Sequence, residues 1–505
     1  MSTRAGEDGN ARGRGADLLA FGLGFALAFR PIAGMDAPWH LAMGAAHLDA
    51  GPWLDVDPIS WVPAVRPSDM GAWLGQALFA LAERLGGLGL ARALVAAVAG
   101  ALLVVVRRAT DRRVRARLPD DGTTAARATA LVTLAVALVA AFALHRFRLR
   151  PDVFSLLMAF VVLDLLDRDE LSRRRDLALL AACALWTNLH PGVVVAPVLA
   201  AAATARHRFR AGWSAVLACA IGASLRSRGP VDLVDLAAAT ARTGELVPEW
   251  QPLWRLDAAT FAGEWALLVA TVVGGLLLLR RAVASRRDEG AVLAAVAILL
   301  GARAVRLLYF AGFGAMKALE RFAVPLTATP LRRRALVGAA ILVVVAMPLR
   351  DRVAAGAAAR EAGLSPWADL YEPNYPVRAA RVLAGLELEG RLFHPVKWGG
   401  YLGRELAPRY RSAHDGRITY FGFETARDLL RFADPAAREE LVDRWQLEIL
   451  VVPPDLLGPD EVLGRGQRPE GRRRWVAVHA DPVAAIFIDA RGPHAAANLR
   501  ALTGR

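Results

Sequence analysis

Cysteine and lysine are almost missing from this chain. Of its 505 residues two are cysteines, Cys183 and Cys219. Both fall inside apolar runs, so the soluble part can hold no disulfide framework, and no Cys-x-x-Cys metal site exists. Lysine occurs only at Lys317 and Lys397, although Lys and Arg together number 62 and the formal net charge is +14. The positive charge is therefore arginine, and its clusters lie between apolar runs. No basic patch interleaved with aromatics and no nucleic-acid motif accompanies them, which excludes nucleic acid as a partner. An internal repeat and a long low-complexity linker are absent as well.

What is present is apolar material in excess of one soluble core: 55% of the residues are hydrophobic, and the mean hydropathy is positive. Runs of roughly 15–20 apolar residues bounded by arginine are the pattern of a polytopic α-helical membrane protein. Residues 1–15 read as a basic, disordered cytoplasmic tail and 16–349 as the membrane domain. Spans are expected over 16–35, 88–106, 126–144, 153–166, 213–225, 263–279, 291–302, 307–329 and 336–347. The run 177–205 has basic clusters at both ends and WTNLHPG in its middle. It reads as two short helices, each about 21 Å long, joined by a turn over Asn188–Gly192 in a recess of the outer face. That makes about eleven crossings, with the cluster Arg107–Arg117 on the cytoplasmic side by the positive-inside rule. The N-terminal arginines imitate a signal peptide, but the spans that follow favour retention. The chain is accordingly expected to be a multi-pass protein of the inner (cytoplasmic) membrane, N-terminus inside.

Beyond Arg350 the runs shorten and charge becomes mixed. GRLFH, RYRSAHDGR, LEILVVPP, RRWVAVHA and VAAIFID read as strands, with helices over ETARDLLRFA and PAAREELVDRW. Their alternation over about 130 residues predicts an extracytoplasmic α/β domain at 350–505. The stretch Met35–Trp73, in the first outer loop (36–87), concentrates chemistry: five acidic residues, His40, His47 and four of the thirteen tryptophans. If Pro38–Ala50 is helical, Asp36, His40, Met43 and His47 share one stripe. A carboxylate there, beside bilayer, is either paired or at work.

The set DxPWHLAxG, GPWLDVDPIS, Trp73, RxRPDVFS, WTNLHPG, PEWQ, WGGYL and DGR resembles a bacterial family of polytopic proteins grouped with the GT-C glycosyltransferases. The resemblance runs from the first span to the last strand. It implies a GT-C-like bundle, a donor sugar on a polyprenyl phosphate, an extracytoplasmic glycan, lipid or protein acceptor, and an acidic residue in the first outer loop. Asp36 occupies that position. Many GT-C enzymes carry two adjacent acids there; here Ala37 follows, so a second carboxylate has to come from Asp55 or Asp57.

Each candidate has two readings. Asp36 is the general base of an inverting transfer, or an N-cap ahead of Ala-Pro-Trp. His40 orients Asp36 through a hydrogen bond; with His47 it makes only a loose metal pattern, so no cofactor is expected and a divalent metal is not favoured. Asp55 and Asp57 form a DxD-like pair for substrate, or open a turn. Arg148 and Arg150, beside Pro151, offer fork geometry to a lipid phosphate, or snorkel to headgroups. Asn188 and His190 line a site at a helix break, or complete a turn. Glu249 and Trp250 contact the sugar, or Trp250 anchors in the aromatic belt. Arg303 and Arg306 are further phosphate candidates. Trp398–Tyr401 and Asp415–Arg417 read as punctuation rather than a phosphate loop. Two rival functions share this frame: a lipid or lipid-linked-sugar flippase, and a non-catalytic membrane assembly protein.

Overall fold

In the computed structural model the described residues are 2–207 (without 31, 33, 66–71, 117, 119–123 and 169–171), single positions between 216 and 280, and 289–322. They continue over 329–338 with 341, 342 and 349, then 375–457 and 474–503. The chain divides into two compact units, one of residues 1–31 and 82–366, the other of 32–81 and 367–505.

The first unit is helical. Helix α1 (Ser2–Ala28) takes in the basic tail that the sequence suggested was disordered, because extending an existing helix avoids a second nucleation. Helix α2 (Ala37–Ala50) belongs to the other unit. Helix α3 (Trp73–Arg115) begins inside the expected outer loop and breaks at Gly86 and Gly87. Gly87 has φ 66°, ψ −172°, a conformation open to glycine alone. Then follow α4 (Thr124–Ala143), α5 (Asp152–Leu166), α6 (Arg173–Leu189) and α7 (Ala196–His207). Helices α8 (Glu289–Arg303) and α9 (Leu308–Phe322) follow. Small residues let these helices meet backbone to backbone: a Cβ on Gly24 would lie 2.6 Å from the Ala99 carbonyl oxygen, and one on Gly301 would lie 2.6 Å from the Ala311 Cβ.

Among the described residues two helices are long and apolar enough to cross a membrane, Trp73–Arg115 and Thr124–Arg146; Pro191–Ala201 and Ala294–Arg303 are shorter apolar helices. Helices α5, α6 and α8, at 15, 17 and 15 residues, measure roughly 22–26 Å, short of a ~30 Å hydrocarbon core. The expected spans 213–225 and 263–279 lie almost wholly outside the described residues, as does most of 336–347. The arginine cluster ending α3 is met by acids of α5: Arg112 Nη2 bonds both Asp164 oxygens at 2.7 Å, and Arg113 reaches Asp167 at 3.3 Å. Lys317 of α9 joins Asp167 in the same buried group.

The second unit is α/β. Helix α10 (Val377–Ala384), strand β1 (Arg391–Phe393), α11 (Val396–Leu406), α12 (Ile418–Phe421), α13 (Phe423–Leu430) and α14 (Pro435–Trp445) precede β2 (Leu447–Val452), β3 (Trp475–Ala480), β4 (Ala485–Asp489) and α15 (Ala495–Thr503). The sheet order is β1-β2-β4-β3, with β1 parallel to β2 and the other pairs antiparallel. All six residues of β2 are buried, and its five apolar residues divide between two apolar layers. Leu447, Leu450 and Val452 join Phe393, Phe421, Phe432 and Leu441. Ile449 and Val451 join Leu383, Trp398, Leu402 and Ile488.

Four of the five expected strands are present; RYRSAHDGR is not one. It makes a single bridge, Ser412 to Ser60, and then turns, because the Asp415 carboxylate captures the Arg417 N–H at 3.0 Å. WGGYL, expected to be punctuation, lies inside α11. A Cβ on Gly399 would meet the carbonyl oxygen of His414, and one on Gly400 would lie 3.0 Å from Trp39. These glycines exist for close packing, which offsets their cost of ~1 kcal/mol in a helix interior. The segment after α2 is fastened to the same unit: Ser412 N–H donates to the Ile59 carbonyl at 2.7 Å, and Trp61 Nε1 to the Leu392 carbonyl at 3.0 Å.

Candidate functional site

In the second unit the site starts from the N-terminus of α2. Pro38 sits in its first turn and the chain enters through Asp36, whose side chain makes no capping bond. Its Oδ1 instead accepts from Trp39 Nε1 at 3.0 Å, one helical turn on. The carboxyl is 5% exposed and packs so tightly on Gly416 that any Cβ there would collide with Oδ1. His40, Met43 and His47 are buried along the same helix, as the stripe required. His40 Nδ1 lies 3.2 Å from the Gln76 amide, so the amide N–H donates to it. Trp39, whose indole N–H reaches the Asp36 carboxylate directly, is a contact that the sequence did not single out.

Asp57 is a structural hub. Its Oδ1 accepts from the Ile59 and Ser60 N–H groups at 2.9 Å, and Oδ2 from Arg417 Nη1 at 2.7 Å. Arg417 also grips Asp415, with Nε to Oδ1 at 2.8 Å and Nη2 to Oδ2 at 2.6 Å. Its guanidinium lies 4.7 Å from the Tyr420 ring centroid and 5.6 Å from that of Trp39. Burial alone would lower the Arg417 pKa, but the charges of Asp415 and Asp57 hold it above the ordinary arginine range. Burial, backed by the Asp57 charge, pushes the Tyr420 hydroxyl above its own. The DxD-like pair is therefore split: Asp57 belongs to a buried ion group, and Asp55 is exposed. Arg417 and Asp415 were passed over in the sequence because DGR is a common turn; only their recurrence with DxPWH in the resemblance marked them.

The first unit holds the basic residues. The RFRLRP turn is wound tightly, with Arg148 N–H donating to the Arg146 carbonyl and Arg150 N–H to that of Arg148, both at 2.8 Å. Arg30 braces it from the end of α1, donating through Nε to the Phe147 carbonyl at 3.2 Å. Arg146, unremarked in the sequence, is buried and ion-paired with Asp152 at the start of α5. The helix break falls at His190, which is extended (φ −166°, ψ 141°) between α6 and a 3-10 turn, Pro191–Val195. Arg146 and Arg150 lie on the turn that leads into α5, and Arg306 lies in the 3-10 turn Val305–Leu307 between α8 and α9. Arg306 lies 5.0 Å over the ring of Trp250, so a cation–π contact links two of the candidates. Asn188 stays in α6, donating to the Ala184 carbonyl at 3.0 Å. Glu249 lies outside the described residues. Among the described residues no three His, Cys, Asp or Glu side chains converge as a metal set.

No protein-family model matches the chain, and no curated protein matches it. Solved structures do. The apo structure of ArnT from Cupriavidus metallidurans is similar with a TM-score of 0.50 at 15% identity, covering 96% of this chain and 98% of that one. ArnT bound to undecaprenyl phosphate gives 0.49 at 14%, over 94% and 97%. The archaeal oligosaccharyltransferase AglB from Archaeoglobus fulgidus, in complex with an inhibitory peptide and a dolichol-phosphate, gives 0.49 at 12%, over 86% and 69%. The likeness to apo ArnT is one of fold and runs nearly end to end. A fold of this kind is what the motifs suggested, and the likeness shows the fold alone.

Proposed function

We propose that this chain is an inverting glycosyltransferase of the inner membrane that moves a sugar from a polyprenyl-phosphate donor to an acceptor outside the cytoplasm. In this reading the acceptor hydroxyl oxygen attacks the anomeric carbon, the bond from that carbon to the phosphate oxygen breaks, and Asp36 takes the hydroxyl proton. Trp39 holds the Asp36 oxygen by its indole N–H. The donor phosphate falls to Arg150 and Arg306, with Arg148 beside them and Trp250 offering its face to the sugar; no metal is required of these residues.

The observation that carries this reading is the helix break at His190, extended between two helices and 2.7 Å from Ser155 Oγ, in the same unit as the Arg146–Arg150 turn and as Arg306, which lies 5.0 Å over the Trp250 ring. Arginine is the residue suited to a planar phosphate fork, and broken helices with polar groups at membrane depth line binding sites. The test is mass spectrometry of lipid-linked sugars and surface glycans in a strain lacking the gene, complemented by wild type or by Asp36→Asn. Wild type is expected to restore the missing glycan and the Asn variant to leave its lipid-linked precursor accumulated; full rescue by Asn removes Asp36 from the chemistry.

The burial of Asp36 against Gly416 favours a second reading, a non-catalytic assembly protein on this fold in which Asp36 is structural. It predicts that Asp36→Asn lowers the amount of folded protein in the membrane, rather than activity per molecule.

A further inference from the structure

Three side chains behind the helix break form a hydrogen-bond chain with only one possible direction. Trp186 Nε1 lies 2.7 Å from Ser155 Oγ, and an indole nitrogen can only donate. Ser155 Oγ accepts there and lies 2.7 Å from His190 Nδ1; its own proton goes to that nitrogen because Nδ1 is already an acceptor of the Gly192 N–H. The Gly192 N–H also donates to Nδ1, at 3.0 Å. A ring nitrogen that accepts two bonds carries no hydrogen, so the proton of a neutral imidazole is on Nε2. Trp186 and Ser155 are 0% and 1% exposed. The arrangement even explains Gly192: a Cβ there would sit 2.6 Å from Ser155 Oγ and 2.8 Å from His190 Nδ1. Among the described residues no acceptor meets Nε2, and the turn holding Arg146 and Arg150 leads directly into the helix that carries Ser155.

We infer that Ser155 is a positioning residue that locks His190 as an Nε2–H donor to a phosphate oxyanion at the arginine cluster. A neutral ring held this way adds a directed bond without another positive charge, in the manner of second-shell groups that fix a histidine tautomer. The inference rests on the proposed donor site, and it concerns Ser155 and Trp186, which that proposal did not use.

The test uses the full chain in lipid nanodiscs, labelled with 15N-histidine, the His190 signals being assigned by loss in His190→Gln. Wild type is expected to show a neutral ring with the hydrogen on Nε2 between pH 5 and 8, and Ser155→Ala or Trp186→Phe a mixture of tautomers. In the same nanodiscs Ser155→Ala should weaken binding of undecaprenyl phosphate by roughly tenfold, the scale of one hydrogen bond to a charged group; Ser155→Thr should restore it. An Nδ1–H ring or an imidazolium in wild type overturns the lock. Unchanged lipid affinity in Ser155→Ala overturns the donor role. Displacement of undecaprenyl phosphate by equal amounts of phosphatidylglycerol or inorganic phosphate overturns its assignment to a lipid-borne phosphate monoester. The tautomer is read without any transfer reaction, so failure of the enzymatic reading and failure of the lock are told apart.

Discussion

In the second unit the guanidinium of Arg417 is closed in by Asp415, Asp57 and the faces of Trp39 and Tyr420. In the first, Arg306 lies over the face of Trp250, and Arg146 and Arg150 sit on the turn before the helix whose Ser155 bonds His190. Arginine serves two purposes in one chain. Where carboxylates surround it, it fixes a turn to a helix and stores no capacity for an outside anion. At the helix break of the first unit Arg146 is paired with Asp152, and the proposed function gives Arg150 and Arg306 a phosphate to bind. The arginine-rich composition alone did not distinguish the two uses.

The largest effect that would sharpen this contrast is at Arg417. Arg417→Met leaves Asp415 and Asp57 buried without their cation, and should destabilise the second unit by about 3–5 kcal/mol, measured by denaturant unfolding followed through tryptophan fluorescence. A loss under ~1 kcal/mol would mean that the ion group is not what fastens the turn. Removing all three charges together, with Asp57→Asn and Asp415→Asn, should recover part of the loss.

Acid should act next most strongly. His394 donates from Nδ1 to the Pro395 carbonyl, accepts at Nε2 from the Ala413 N–H, and stacks on His414 with ring centroids 5.7 Å apart. Burial lowers its pKa from 6.5 to about 4 and lowers that of His414 as well. The unfolded chain thus binds protons that the folded chain refuses. Stability should hold above pH 6.5 and fall below it, by up to about 3 kcal/mol for His394 at pH 4. His394→Gln, which keeps a donor and an acceptor, should flatten that slope; an unchanged slope would place the acid sensitivity elsewhere.

Gly399→Ala should cost about 1–3 kcal/mol, since its methyl meets a backbone carbonyl that has no rotamer to yield. A neutral result would contradict the close approach of α11 to the His414 segment. The smallest stability effect is expected at Arg306, where loss of the contact with Trp250 should cost under ~1 kcal/mol. Arg306→Ala should nevertheless weaken undecaprenyl phosphate binding by about tenfold; the opposite pattern would make this arginine an anchor rather than a ligand.

The helical first half was legible because apolar runs between arginines announce themselves. Helices α4 and α5 begin within two residues of the expected spans, and the break in WTNLHPG falls at His190, inside the expected turn. Strands β2 and β4 were equally plain, being short apolar runs between turn residues. What could not be read was tertiary. Gly399 and Gly400 look like punctuation until the helix that touches them is known. RYRSAHDGR has strand-like alternation, yet its Asp captures a local N–H before a ladder can form. Among the candidate residues, Asp36, Arg150 and His190 stood out by residue type and setting. Ser155 and Trp186 did not: a serine and a tryptophan on apolar helices 31 residues apart carry no spacing signal.

The most direct measurement is transfer by the full chain in nanodiscs, with polyprenyl-phosphate sugars extracted from the source membrane and release of free polyprenyl phosphate followed with time. The account predicts release by wild type and a rate about 10²–10⁴-fold lower for Asp36→Asn, the range of a lost general base, with the variant unfolding at the same denaturant concentration as wild type. Equal rates for the two proteins, or no release by wild type with any extracted lipid, would contradict it.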